Sequence, residues 1–131
     1  MKRAYRSIAI VDDAAVDRRF AMRAIRRCLP ECEVHAFASA TAFDEALASG
    51  TRPDAVIVDL NMPGLDGMTW MRRRARELAA AGCRVVTLTT SSDPADAEAA
   101  RAAGASEVGV KPANLAALTD VIAALLDLPR E

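Results

Sequence analysis

Ala55-Val56-Ile57-Val58-Asp59 is an unbroken apolar run, rich in β-branched residues, that ends on a single carboxylate. A segment so short and so apolar reads as a strand buried on both faces, which is how strands look inside a parallel sheet sandwiched between helices. Behind it come the turn residues Asn61-Met62-Pro63-Gly64 and then a helix from about Gly67 to Ala81. The same unit recurs on either side. Ser7 to Val11 is an apolar run ending at Asp12-Asp13, followed by helical spacing from Asp17 to Leu29 through Phe20, Ala24 and Cys28. Glu33 to Ala38 precedes a helix from Thr41 to Ala48, closed by Gly50. Beyond the central unit, Arg84 to Thr89 leads to a helix over Pro94 to Ala103, with Gly104 as its stop. The last unit runs from Ser106 to Val110, passes Lys111-Pro112, and closes with a helix from Asn114 to Leu128.

Five strands alternating with five helices predict a parallel α/β sheet covered on both faces, because parallel neighbours require crossover connections. A chain of 131 residues fills one such domain, so residues 1–131 are read as a single unit. In open parallel sheets ligands bind beyond the carboxyl ends of the strands. That edge collects Asp12 and Asp13 after the first strand, Asp59 after the third, Thr89 and Thr90 after the fourth, and Lys111 after the fifth.

Composition excludes several classes. Hydrophobic residues make up 52% and charged residues 27%, yet the net charge is only −1, so the overall field favours neither nucleic acid nor a membrane surface. No apolar stretch approaches the roughly 18 residues that span a bilayer, and no signal-peptide pattern precedes the first strand, so a cytoplasmic location is expected. The cysteines Cys28, Cys32 and Cys83 are odd in number and lack CxxC spacing, so reduced thiols are expected. The alternative, a thiol and imidazole metal site from Cys28, Cys32, His35 and Cys83, is opposed by Pro30, which breaks the local spacing.

Three carboxylates converging on one crevice repel, and a cation among them relieves the repulsion. Oxygen-only donors favour a hard divalent ion that keeps part of its water shell, so Mg²⁺ is the expected cofactor. A carboxylate can also attack phosphorus and form an acyl phosphate where neighbouring cations take up the charge. Asp59 is the expected nucleophile, since it stands alone at the end of the most hydrophobic strand, with Asp12 and Asp13 as the flanking metal-holding pair. Lys111 would supply a compact positive charge to the phosphoryl group, and Thr89 a hydroxyl hydrogen bond. Of the 17 basic residues only Lys2 and Lys111 are not arginine, which fits a site needing a point-like ammonium. The bland alternative is a solvated lysine. Pro112 argues instead for a constrained turn, with a cis bond as one way to make it.

With these residues in hand, the chain resembles the receiver domains of bacterial two-component systems, most of all stand-alone chemotaxis-type regulators, over essentially its whole length. The resemblance is carried by Val11-Asp12-Asp13, Val58-Asp59-Leu60-Asn61-Met62-Pro63-Gly64-Leu65-Asp66-Gly67, Thr87-Leu88-Thr89-Thr90-Ser91, Gly104-Ala105 and Val110-Lys111-Pro112. It implies a flavodoxin-like fold with strand order 2-1-3-4-5. It also implies an aspartyl phosphate at Asp59 and a Mg²⁺ held by Asp13, Asp59 and the backbone carbonyl of Asn61, with Asp12 assisting through water. Lys111 and Thr89 match the family's phosphate-contacting pair. The partners implied are a sensor histidine kinase or a histidine phosphotransfer protein, and a downstream protein target, with no direct DNA binding and no membrane insertion. Such a chain is not an enzyme on a separate substrate; it catalyses only its own phosphorylation and autodephosphorylation.

Three other readings are weighed against this one. The chain could be the receiver of a larger regulator or hybrid kinase. A haloacid-dehalogenase-type phosphatase would want its nucleophile and a second Asp two residues apart after the first strand, and a cap insertion, and this sequence has neither. A degenerate scaffold is disfavoured because Asp12, Asp13, Asp59, Thr89 and Lys111 are all present.

The sequence departs from the family pattern at Val108, where many members carry Tyr or Phe. Switching is therefore expected to rest on Thr89 and the loop after it. Asn61 and Ser91, at positions that tune phosphoryl lifetime in the family, are uncharged, and Thr90 should narrow the approach of attacking water. Arg18, Arg19, Arg23, Arg26 and Arg27 make the first helix basic, either a solvated face or a docking face for an acidic or phosphorylated partner helix. In the last helix Leu115, Leu118, Ile122 and Leu125 form an expected core stripe, with Ala116, Ala117, Ala123 and Ala124 opposite, a low-polarity face that could serve a phosphorylation-dependent dimer.

Overall fold

The computed structural model describes residues 5–61 and 67–128. The turn expected at Met62-Pro63-Gly64, together with Leu65 and Asp66, lies outside the described residues, as does the side chain of Leu115. The elements are β1 (Ser7–Val11), α1 (Ala15–Cys28), β2 (Glu33–Phe37), α2 (Ala40–Ala48), β3 (Ala55–Asp59), α3 (Gly67–Ala80), β4 (Arg84–Thr89), α4 (Pro94–Ala102), β5 (Glu107–Val110) and, after a 3₁₀ turn at Leu115–Ala117, α5 (Leu118–Leu126). All strand pairs are parallel, in the order β2-β1-β3-β4-β5. This is the flavodoxin-like order that the resemblance implies.

Strand alternation divides the interior into two cores. Ile8, Ile10, Ala55, Ile57, Val86 and Leu88 point to one side of the sheet, where α1 and α5 cover them with Ala21, Ile25, Leu118, Ile122 and Leu126. Their neighbours Ala9, Val11, Val56, Val58 and Val85 point to the other, against Phe43, Leu47, Trp70, Met71 and Ala100 of α2, α3 and α4. Period two in the strands and period 3.6 in the helices meet on each face, which is why Ile8 to Val11 of β1 and Ala55 to Val58 of β3 are apolar at every position. Ser39 and Asp93 set the starts of α2 and α4 by accepting hydrogen bonds from the Ala42 and Ala95 amides at 3.0 and 2.9 Å.

The C-terminal helix corrects the sequence reading. An unbroken helix from Asn114 does not form, because the Asn114 side chain accepts the Ala116 amide at 3.0 Å and its carbonyl accepts that of Ala117, an Asx-type turn that delays the α-helix to Leu118. Asp127 in a left-handed conformation ends it, and the Leu128 amide returns to the Ala123 carbonyl at 2.8 Å. Ala123 is buried rather than part of the outer face, so the low-polarity surface is narrower than expected. No cis peptide bond occurs among the described residues, so the turn at Lys111-Pro112 is made with a trans bond.

Gly67 fixes how α3 meets the sheet. A Cβ there would lie 2.8 Å from the Leu60 Cα and 3.2 Å from the Asp59 carbonyl oxygen, so only glycine lets the helix start against the end of β3. The strand end carrying Asp59 is thereby backed by helix rather than by an open loop.

Candidate functional site

Val11 of β1 faces Val58 of β3 in register, so the next residue of each strand, Asp12 and Asp59, arrive side by side. Carboxylate oxygens of Asp12, Asp13 and Asp59 lie within 4.8 Å of one another. Asp12 and Asp59 are buried and Asp13 is exposed. Each buried carboxylate gives one oxygen to a backbone amide: Ala14 N donates to Asp12 Oδ1 and Asn61 N to Asp59 Oδ1, both at 2.9 Å. The other oxygen of each receives Lys111, whose Nζ donates to Asp59 Oδ2 at 2.8 Å and to Asp12 Oδ2 at 3.1 Å.

Lys111 enters from the end of β5, where its amide donates to the Thr89 carbonyl at 2.7 Å and so ties β5 to the end of β4. Burial acts to lower the pKa of its ammonium, but hydrogen bonds to Asp17, Asp59 and Asp12 outweigh burial and hold it above the ordinary lysine value. Asp12 is pushed above the usual carboxylate range, first by burial. The Ala14 amide opposes that shift, the Asp59 charge adds to it, and Lys111 opposes it again. One ammonium among these carboxylates leaves the crevice net negative, and their oxygens are hard donors with lone pairs to spare, a set suited to a small divalent cation.

Thr89 is buried at the end of β4, and its hydroxyl oxygen accepts the Ser91 amide at 3.1 Å. Ser91 Oγ in turn accepts the Asp93 amide at 3.1 Å and donates to Asp96 Oδ2 in the first turn of α4. Asn61 contributes a cross-link, its side-chain carbonyl accepting the Thr90 amide at 2.8 Å. The Thr89 hydroxyl at the end of β4 is thus joined to α4 through a short hydrogen-bonded chain. Val108 is half-buried and packs against the second core.

The sequence-derived residues Asp12, Asp13, Asp59, Thr89 and Lys111 therefore meet at one sheet edge. The thiol alternative does not assemble: Cys32 packs in the first core and Cys83 in the second, with the sheet between them, and His35 is an exposed residue beside Glu33 at 3.3 Å. Sequence reasoning missed Asp17, whose Oδ2 lies 2.6 Å from Lys111 Nζ. Its signal was its place as the acid in the first turn of α1, the helix that follows Asp12-Asp13. It also took Arg18 as part of the basic face, whereas its guanidinium donates to the Asp12 carbonyl at 2.7 Å. Arg19, Arg23, Arg26 and Arg27 do form a surface groove with Met22.

A family model described as the response regulator receiver domain matches residues 8–123. The transcriptional regulatory protein PrrA of Mycobacterium tuberculosis is 42% identical over 97 residues, a stretch covering 69% of this chain and 40% of that protein. This chain thus spans well under half of that curated relative's length. A solved two-component response regulator of the LuxR family from Aurantimonas is 31% identical, with a TM-score of 0.73 over 95% of this chain and 86% of that one. The phosphorylated cyanobacterial phytochrome response regulator RcpA superposes with a TM-score of 0.82 over 97% of this chain and 100% of that one. At 24% identity, that last likeness is one of fold alone.

Proposed function

The chain belongs to the response regulator receiver family of two-component signalling, and on that premise we propose that it accepts a phosphoryl group on Asp59, with Mg²⁺ bound, and signals by changed affinity for a protein partner. The observation that carries this reading is the Asp59 carboxylate at the end of β3, bonded to Lys111 Nζ at 2.8 Å beside the carboxylates of Asp12 and Asp13.

A carboxylate oxygen of Asp59 attacks the phosphorus of a phosphohistidine or of acetyl phosphate, with the Lys111 ammonium beside it to take up negative charge. The new O–P bond forms as the P–N or P–O bond of the donor breaks, and its electron pair leaves with imidazole or acetate. Lys111 moves its hydrogen bond from Asp59 to a phosphoryl oxygen, a short displacement for a flexible ammonium. Asp13, Asp59 and the Asn61 carbonyl would hold the cation, with Asp12 assisting, and the cation supplies positive charge against the phosphoryl oxygens. Thr89 turns its hydroxyl toward the same oxygens. Its bond with the Ser91 amide weakens as it does so, which passes the change along the loop to Asp96 and α4.

The donor is a sensor histidine kinase or a histidine phosphotransfer protein in the cytoplasm, and the output is a protein contact. Within a longer regulator, the same chemistry would govern whatever segment is attached. The test is intact mass after incubation with acetyl phosphate and Mg²⁺. One phosphoryl increment, absent from Asp59→Asn and from a metal-chelated control, supports the reading. No increment under any condition removes it and leaves regulation by binding alone.

A further inference from the structure

An ammonium has three donors, and the contacts of Lys111 match them one for one: Asp59 at 2.8 Å, Asp12 at 3.1 Å and Asp17 at 2.6 Å. The three partners are not equivalent. Asp59 and Asp12 belong to the trio whose oxygens cluster within 4.8 Å, and each offers Lys111 the one oxygen that no backbone amide occupies. A divalent cation drawing on those oxygens competes with the ammonium for their lone pairs and repels it by charge.

Asp17 stands outside that competition. It is not one of the clustered trio, it comes from the first turn of α1 rather than from a strand end, and it makes the shortest of the three contacts. Its side chain is 17% exposed and that of Lys111 12%, so the pair is largely shielded from water. The start of α1 is also pinned to the crevice, by the Ala14 amide on Asp12 Oδ1 and the Arg18 guanidinium on the Asp12 carbonyl. Asp17 therefore sits on a fixed support.

We infer that Asp17 is a positioning residue, the counter-ion that keeps Lys111 in the crevice when a cation takes over Asp12, Asp13 and Asp59. This rests on the reading of the trio as the cation site of a phosphoacceptor. Without Asp17 the long lysine stem would follow its charge outward on metal binding, and the phosphoryl oxygens would meet a site lacking its ammonium. The bland role for an acid in a first helical turn is to complement the helix dipole, and that role would leave Lys111 where it is.

Lysine composition makes the test direct, since the chain holds only Lys2 and Lys111. With ¹⁵N-lysine labelling, each ammonium gives its own NMR signal, visible when exchange with water is slow. In the unaltered chain the Lys111 signal is expected to persist on adding saturating Mg²⁺. In Asp17→Ala, shown to be folded by its amide spectrum, it should persist without metal and broaden with Mg²⁺, its exchange faster by tenfold or more (about 1.4 kcal/mol of lost protection). Asp17→Asn, which keeps an acceptor without the charge, should fall between. In parallel, the maximal rate of phosphorylation by acetyl phosphate should fall roughly tenfold to a hundredfold in Asp17→Ala, with the half-saturating donor concentration little changed. Retention of the Lys111 signal in Asp17→Ala at saturating Mg²⁺, or its loss in the unaltered chain, overturns the inference whatever the phosphoryl result. Mg²⁺-dependent loss of the signal in the variant, with no phosphoryl increment on the unaltered chain, upholds the anchor and removes the phosphoacceptor reading instead.

Discussion

Asp13→Asn measures what the carboxylate cluster costs the fold. Asp13 is the exposed member of the trio, so its charge can be removed without opening a buried space. Two unit charges 4.8 Å apart repel by about 0.9 kcal/mol in bulk water and about 3.5 kcal/mol at an effective dielectric of 20. Exposure moves the repulsions of Asp13 toward the lower figure, and Lys111, bonded to both neighbours, offsets part of them. A net gain of about 1 kcal/mol in stability is expected for the metal-free variant, or about 3–6 °C in melting temperature for a chain of this size. A cation reverses the sign. At a hundredfold its dissociation constant, a bound ion adds about 2.7 kcal/mol to the unaltered chain, and much less to a variant lacking one ligand. The two melting temperatures should therefore cross as Mg²⁺ is titrated at pH 7 and low salt, followed by circular dichroism. Acid should narrow the metal-free gap. Burial holds the folded pKa of Asp12 above its unfolded value, so its favourable contribution is present below the unfolded value, 3.8, and is lost as pH rises through the folded one. A variant no more stable than the unaltered chain without metal, or one that gains as much from Mg²⁺, refutes this reasoning.

Gly104→Ala should cost about 2–4 kcal/mol, read from the urea midpoint, because φ there is +122° and a Cβ would stand 2.7 Å from the Ala75 Cβ; an unchanged midpoint contradicts this. Iodoacetamide at pH 8 should modify half-buried Cys28 and spare Cys83, whose thiol is pushed up to about 12 by burial and, less, by Asp54. Peptide mapping decides it, and modification of Cys83 on the same timescale would count against the packing described. On phosphorylation, amide NMR shifts should be largest over residues 89–95 and small near Val108, and Ser91→Ala should stop them short of α4 by removing the link to Asp96. Larger shifts at Val108 would place the switch elsewhere. Arg19→Glu and Arg23→Glu should slow phosphotransfer from the partner kinase about tenfold and flatten its salt dependence; an unchanged rate makes the groove on α1 a solvated face.

Apolar runs buried on both faces left little freedom in where strands begin and end, so β1, β3 and β4 match their sequence boundaries. The order of strands was a different matter. Alternation of strand and helix fits several windings, and the observed order came from the family resemblance rather than from periodicity. Asn114 shows why helix starts are harder: its side chain offers a local turn that competes with the first turn of a helix, and the turn wins. In the site, the carboxylates and Lys111 could be read because strand ends are fixed in space by the sheet. Asp17 escaped because it lies on a helix, and only the angle at which α1 leaves β1 brings it onto Lys111. Ala123 was misplaced for a related reason, since alanine is found on either face of a helix and hydrophobicity does not separate buried Ala123 from exposed Ala124.

The sheet has two margins, and the second is β5, a strand of only four residues whose last member, Val110, is 47% exposed. Amide hydrogen exchange in such a sheet is slowest at the centre and fastest at the borders, where a strand can detach without unfolding the rest. Lys111 follows directly on that border strand, whereas Asp59 ends one of the interior strands. The two halves of the lysine–aspartate pair thus belong to parts of the molecule that open at different free energies. Fraying of β5 withdraws the ammonium while the carboxylates stay in place, so the lifetime of the closed pair is capped by the protection of the β5 amides rather than by global stability. A partner that adds contacts along this margin would raise that cap, slowing exchange at β5 and prolonging the closed pair together.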